Sequence, residues 1–583
     1  MFIIKWLWSN LKGTRAAYLF ALLISVATTL MILISPYIVG EIVNVVQNPD
    51  SILSDLVKLL LILVVVQLVR TGLRYFMIII VEVSSQSLQT RIKNHLYDML
   101  QNQDMRYFDT NKTGDIMAKM SGDMDAIRHI VAWVVHNALE CVVLFTSAVI
   151  YLFTVDWFFT LCLLALSPLI FFFTFKASRK LRPLYTKIRD EFSKLNAVVQ
   201  ENIAGNRVIK AFVRSDFEKK KFKENNDAFT QANLETSNTW LKYFPYIEMA
   251  AISLNVIVLL LGGLLFIFKP SFTLAHFTIF SGLVWAISNP LRMMSTIMND
   301  TQRGLAAIDK IMPMYYAQHD IEEIEIPFVK ERLNGDIKFD NVSLKIDGKT
   351  ILHNLSFEAN AGETVAIMGP TGAGKTMLIN LLPRFYDICE GSITIDGVDV
   401  REYEKKSLRK NIALTMQDVF LFSDTVEGNI AFGDPDMPLS EVNKAADIAS
   451  VTPFIDDLQE GYDTIVGERG VGLSGGQKQR ISLARALAVK TPILILDDTT
   501  SAVDMETEKY IQHELATLDY KCTKLIIAQR ISSVKHADKI LIVENGTITE
   551  SGSHDELLGK NGYYKRIYNL QHSESNTSSE LMA

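Results

Sequence analysis
The run Gly369-Pro370-Thr371-Gly372-Ala373-Gly374-Lys375-Thr376 matches G-x-x-x-x-G-K-[ST], the spacing of a loop that holds nucleotide phosphates. Its glycines let successive backbone N–H groups converge on an anion without interference from Cβ atoms. The helix that follows would turn its positive end toward the same anion. Lys375 has the reach for β- and γ-phosphates, and the Thr376 hydroxyl is of the type that ligates Mg2+. A second run, Leu473-Ser474-Gly475-Gly476-Gln477, follows about a hundred residues later. The two in this order argue against an accidental glycine-rich turn.

Such a loop needs a buried strand before it and a helix after it. Thr364-Val365-Ala366-Ile367-Met368 reads as that strand. Pro492-Ile493-Leu494-Ile495-Leu496-Asp497 reads as a second, ending in an acid, the context of a carboxylate near Mg2+. Leu525-Ile526-Ile527-Ala528 reads as a third. From Asp336 onward strand-like runs alternate with helical patterns, as in an α/β nucleotide-binding fold. The charged segment Ile321–Asn334 lacks long apolar runs and reads as a linker, and His572 to Ala583 is polar and Ser-rich, which predicts disorder.

The first half has another character. Hydrophobic residues make up 49% of the 583, and the excess lies before residue 300. Apolar segments near 17–46, 54–82, 130–155, 157–178, 243–268 and 273–298 are each long enough to span a bilayer, which takes about 20 residues. The connections near Asn48–Ser54 and Asp156 hold no Lys or Arg, and the one near Pro270 holds only Lys269. The stretches 83–129 and 179–241 are rich in both, beginning with Arg91 and Lys93 in one and Arg179 and Lys180 in the other. The positive-inside rule then puts both termini and both long loops in the cytoplasm, with the chain in the cell membrane. Helical spacing in those loops predicts helices that run on past the bilayer. The first 15 residues, with Phe2, Ile3, Trp6 and Trp8 beside Lys5, Lys12 and Arg15, suit either an inner-surface helix or a polar lead-in. No cleavable signal peptide is expected. Net charge is −7 with no long basic block, so no nucleic-acid partner is expected. Cys141, Cys162, Cys389 and Cys522 lack metal-ligand spacing.

Within the spans, Arg70 and Arg74 share one helix face, and His136 and Glu140 share another. Counted from the outer ends, Arg70 and Glu140 lie at similar depth, so either they meet across a cavity or Arg70 snorkels to the interface. Met293 and Met294 suit either an adaptable binding surface or plain packing.

Six spans followed by this motif set resemble one half of an ATP-binding cassette (ABC) exporter over essentially the whole chain. The resemblance implies a six-helix all-α transmembrane domain with long cytoplasmic extensions (1–320), a linker (321–335), an α/β P-loop cassette (336–571) and a polar tail (572–583). It implies ATP and Mg2+ as ligands, a second half-transporter as partner, the lipid bilayer as surroundings and a small-molecule, lipid or peptide substrate. Gln417 takes the position of the Q-loop glutamine, which joins Thr376 and Asp497 around Mg2+. Leu473–Gln477 is similar to the signature motif, whose Ser474, Gly475, Gly476 and Gln477 would face a nucleotide held by the opposite subunit. Gly467-Glu468-Arg469-Gly470 resembles the exporter X-loop, and Ser501-Ala502-Val503-Asp504 the D-loop. Phe108 to Asp115 and Gln200 to Phe212 resemble the two intracellular coupling loops.

Three positions depart from the family. Asp498 stands where a glutamate polarises the attacking water, a retreat of about 1.5 Å. Gln529 stands where a histidine faces phosphate. Ile346 stands where an aromatic ring stacks on adenine. Asp498 and Gln529 together predict an impaired hydrolytic site beside an intact signature motif. A heterodimer follows, in which this signature completes the partner's catalytic site. A slowly hydrolysing homodimeric exporter and an ATP-gated channel or regulator are the alternatives.

Overall fold
The computed structural model describes residues 2–48, 53–467 and 470–580, and the side chains among them except for 573–580. Two compact units are formed, one of residues 1–102 and 111–317, the other of 103–110 and 318–583.

In the first unit, Arg15–Gln47, Leu53–Asn102, Thr113–Val155, Trp157–Ala204, Ser215–Phe268 and Leu274–Tyr315 are long and apolar enough to cross a membrane. At 42 to 54 residues, the last five exceed the roughly 20 that a bilayer needs, so they continue well beyond it. Apolar side chains such as Leu61, Val64 and Leu68 are exposed, as lipid-facing residues must be. Inner faces pack closely, with Phe159 stacked on Phe280 at 4.2 Å. The third span is not regular throughout. It widens into π turns at Lys119–Asp123 and Ile130–Val134. The buried Tyr18 hydroxyl donates to the Val131 carbonyl at 2.9 Å, satisfying a group in the second π turn. Gly304 lies beside this turn, where a Cβ would come within 2.3 Å of Ile130 Cδ1.

Two open readings narrow here. Glu140 pairs with Arg74, at 3.7 Å, and not with Arg70, which instead donates to Gln67 Oε1 at 3.4 Å. Side chains lean toward the start of their own helix, and the second and third spans run antiparallel. Arg74 and Glu140 therefore lean toward each other, whereas Arg70 leans away. At the N-terminus, Phe2–Asn10 is a helix with Phe2, Ile4 and Trp8 exposed, but Trp6 is buried edge-on against Tyr315 at 5.2 Å. Met293 is half-buried beside Asn289, and Met294 is exposed.

The second unit holds two sheets. An antiparallel sheet is ordered β2-β1-β4-β5, from β1 (Ile337–Ile346), β2 (Lys349–Ala359), β4 (Glu390–Ile395) and β5 (Val398–Asp399). The other is ordered β10-β9-β3-β8-β7-β6, from β3 (Thr364–Met368), β6 (Ile412–Thr415), β7 (Ile493–Asp497), β8 (Thr523–Ile527), β9 (Lys539–Glu544) and β10 (Thr547–Gly552). The three apolar runs read from the sequence are β3, β8 and β7, neighbours and mutually parallel. Both faces of these strands are covered, which explains why they are apolar without alternation. The linker is tied down: Asp396 accepts from Asn334, Gly335 and Asp336 N–H at 2.7 to 3.1 Å and pairs with Lys330 at 2.8 Å. The short helix Met105–Thr110 also belongs to this unit, although the sequence assigns it to the first domain. Asp104 accepts from Ile321 N–H at 2.9 Å, and Tyr386 donates to Asp109 at 2.7 Å. Where disorder is expected from His572, the helix Tyr563–Glu580 continues through it, and 581–583 lie outside the described residues.

Candidate nucleotide-binding site
Parallel strands end together, so the loops after their last residues share one edge. After β3 comes Gly369 to Gly374; after β8, Ala528 and Gln529; after β7, Asp498; after β6, Gln417. The order β3-β8-β7-β6 therefore gathers the phosphate loop, Gln529, the Asp497–Asp498 pair and Gln417 along a single rim. Asp497 pairs with Ile527 across β7 and β8, and the Asp498 N–H donates to the Ile527 carbonyl at 3.0 Å, extending that ladder.

The loop backbone explains its glycines. At Gly369, φ is 147° and a Cβ would lie 2.0 Å from the Val543 carbonyl oxygen. At Gly374, φ is 95° and a Cβ would lie 2.7 Å from Leu352 Cδ2. Pro370, Thr371, Gly372 and Ala373 complete the turn into the helix Lys375–Asn380. Lys375 is buried, and its ammonium donates to the Gly369 and Pro370 carbonyls at 2.8 Å each. Burial pulls that ammonium below the ordinary lysine range, so an arriving anion would be a favourable partner. Thr376 Oγ1 donates to Asp497 Oδ2 at 2.9 Å. Burial pushes the Asp497 carboxyl above the usual range, the Thr376 bond opposes this, and the nearby Asp498 charge adds to it. A hydroxyl and two crowded carboxylates beside a phosphate loop are a donor set that fits Mg2+. Gln417 is exposed at the same edge.

Asp498 itself has φ 50°, a left-handed backbone that Asp tolerates better than most residues. Gln529 is exposed. Ile346 ends β1 just before the Asp347-Gly348 turn and packs partly buried against the cassette core.

Leu473–Gln477 opens the helix Gly475–Ala488. Ser474 caps it: the Gln477 N–H donates to Ser474 Oγ at 3.3 Å while Ser474 N–H donates to Gln477 Oε1 at 2.8 Å. Gly476 lets the D-loop approach, since a Cβ there would lie 2.7 Å from the Ala502 carbonyl oxygen. Of the X-loop, Glu468 and Arg469 lie outside the described residues.

Sequence reasoning passes over the residues that join these parts. Gln479 donates to Ser501 Oγ at 3.1 Å and to the Asp498 carbonyl at 3.4 Å, and accepts from Ala502 N–H at 3.0 Å. Arg530 donates to Glu508 at 3.0 Å and to the Ser501 carbonyl at 3.2 Å. Gln479 stands two residues beyond the signature run and Arg530 directly after Gln529, so adjacency to a motif is the one signal that points to them.

With known proteins, the likenesses are extensive. The model of the ABC transporter transmembrane region matches residues 18–291, and that of the ABC transporter itself matches 352–501. The uncharacterized ABC transporter ATP-binding protein YknU of Bacillus subtilis is 38% identical over 489 residues, covering 83% of each chain. The ATP-dependent lipid A-core flippase of Syntrophus aciditrophicus is 33% identical over 89% of this chain and 86% of its own. The putative multidrug export ATP-binding/permease protein YgaD of Bacillus subtilis is 32% identical over 92% and 93%. A bacterial Atm1-family ABC exporter solved with ATP bound superposes with a TM-score of 0.77 at 25% identity, covering 96% of this chain and 98% of that one. Membrane-spanning helices, a phosphate loop on a parallel sheet and full-length likeness converge: the chain belongs to the ABC transporter family, as an ATP-binding, ATP-hydrolysing exporter half-transporter of multi-pass membrane type.

Proposed function
We propose that this half-transporter works as the degenerate-site subunit of a heterodimeric exporter of amphipathic drugs, lipids or peptides in the cell membrane, with both termini cytoplasmic. The observation that carries the proposal is the rim at the ends of the parallel strands β3, β8, β7 and β6. Binding groups are complete there, in Gly369–Thr376, Asp497 and Gln417, while the hydrolytic pair is altered to Asp498 and Gln529. Lys375 and the loop N–H groups would hold the phosphates of ATP. Mg2+, held by Thr376, Asp497 and Gln417, would neutralise the β- and γ-phosphate oxygens. Asp498, shortened by one methylene, would sit too far from the attacking water for efficient proton transfer. Gln529 would donate a hydrogen bond to the γ-phosphate without imidazolium's charge. Ile346 would give adenine only apolar contact. Ser474 to Gln477 would complete the partner's site, where a glutamate and a histidine are expected.

Names of relatives, a lipid A-core flippase and a multidrug exporter, agree with an amphipathic cargo. Arg70, Arg74 and Glu140 give the spans a net positive polar cluster, suited to the charged end of such a molecule. ATPase activity of the purified chain, alone and with a second half-transporter, tests the assignment. Low activity alone and high activity in the pair is expected, with Asp498→Asn changing the pair little and loss of the partner's glutamate abolishing turnover. Vigorous activity from the chain alone, lost in Asp498→Asn, would instead make it a homodimeric exporter with a competent base.

A further inference from the structure
Beyond the ATP-site motifs, Gln571 of the helix Tyr563–Glu580 reaches the backbone beside Gln529. Gln571 Nε2 donates to the Gln529 carbonyl at 3.0 Å, and Gln571 Oε1 accepts from the Ile531 N–H at 2.9 Å. A single primary amide thus pairs with the backbone on both sides of Arg530, as two strands pair across a ladder. Arg530 is the N-cap of the helix Ile531–Val534 and makes no side-chain cap bond, so the Ile531 N–H at its start is satisfied from 40 residues away. Arg530 in turn reaches the Ser501 carbonyl of the D-loop and the buried Glu508. The helix does not need Gln571 to dock. Tyr564 is fully buried with its hydroxyl 2.6 Å from His554 Nδ1, and Ile567 and Tyr568 pack on the same core.

We propose that Gln571 is a positioning residue: its amide fixes the backbone of Gln529 and Arg530, and so sets how the Gln529 side chain meets the γ-phosphate. This rests on Gln529 facing that phosphate, as argued above. A γ-phosphate contact has a signature that packing lacks, because it acts on ATP and not on ADP.

The test uses the full chain in lipid nanodiscs with Mg2+, titrated with methylanthraniloyl-labelled ADP and the labelled β,γ-imido analogue of ATP. Gln571→Ala is expected to lower the preference for the ATP analogue about fivefold, the effect of losing one good hydrogen bond, with ADP affinity unchanged. Gln571→Glu supplies a second reading. The ionised carboxyl cannot donate to the Gln529 carbonyl, but the protonated form offers the donor and acceptor of an amide. Its preference relative to the parent chain is expected to recover as pH falls from about 8 to about 5.5, since pairing that favours the neutral form raises the carboxyl pKa. Gln529→Ala is the control. If it leaves the preference intact, the γ-phosphate role of Gln529 falls and the proposal with it. If Gln529→Ala lowers the preference while Gln571→Ala does not, or Gln571→Ala weakens both nucleotides alike, the positioning role alone is overturned. Should Gln571→Ala fail to fold, a flat pH response in Gln571→Glu overturns it equally.

Discussion

Asp498 and Gln529, the two positions proposed to weaken hydrolysis, leave neighbouring strands of one sheet, β7 and β8. If they weaken hydrolysis as a pair, restoring them as a pair should strengthen it. The double variant Asp498→Glu, Gln529→His is expected to raise ATP hydrolysis of the chain alone by about tenfold to a hundredfold, with either single variant giving less. A steady-state phosphate-release assay measures this. No gain in a chain whose own turnover is already vigorous would mean that Asp498 already works as a base. Restoring glutamate has a cost in backbone comfort, because φ at this position is 50° and Asp accepts that conformation more readily. At this scale the phosphate loop is legible because its chemistry restricts residue type. Gly369 is a glycine because a Cβ would meet the Val543 backbone, and Gly374 because its φ of 95° favours glycine beside Leu352. Gln479, Glu508 and Gln571 are not legible. A glutamine or glutamate on a helix is ordinary, and only folding brings Gln571 to Gln529, 42 residues away in sequence.

Among the elements, the linker before β1 is held more firmly than its charged sequence suggests. Burial alone would raise the Asp396 carboxyl, but the Lys330 bond and three backbone N–H donors hold it below the usual carboxylate range. A depressed folded pKa contributes stability above the unfolded value of about 3.9 that is lost as pH falls through the folded value. Asp396→Asn is therefore expected to lower cassette stability by about 1–3 kcal/mol at neutral pH and to flatten the loss below about pH 4. Thermal unfolding of the purified protein across that range checks it. In the spans, Arg74→Ala leaves Glu140 without its partner, whereas removing both leaves no orphan. A double-mutant cycle on detergent-solubilised protein should give a coupling on the order of 1 kcal/mol for Arg74 with Glu140, and a smaller one for Arg70 with Glu140. The spans are legible from apolar length alone. The Arg74 pairing is not, since depth counted along a helix ignores the direction in which long side chains lean. Nor are the π turns, which Gly304 and Tyr18 accommodate from other helices.

For the whole molecule, the order of six spans and one cassette is read from the sequence because hydropathy and the phosphate loop are both local signals. The proposed orientation rests on the Lys and Arg of alternate connections. Alkaline phosphatase fused after Lys269 should be active and fused after Arg189 inactive, while a fluorescent protein at the C-terminus should fold and emit. The reverse pattern would invert the topology.

The segment 103–110 belongs to the cassette unit although more than two hundred residues separate it from the rest. A domain of this kind cannot be lifted out by a single cut. A fragment beginning at residue 318 would leave Tyr386 without Asp109 and the Ile321 N–H without Asp104. Exchange of cassettes between related transporters, by recombination or in a chimera, would meet the same seam. The transplanted piece should be accepted only when the eight residues at 103–110 travel with it or already match.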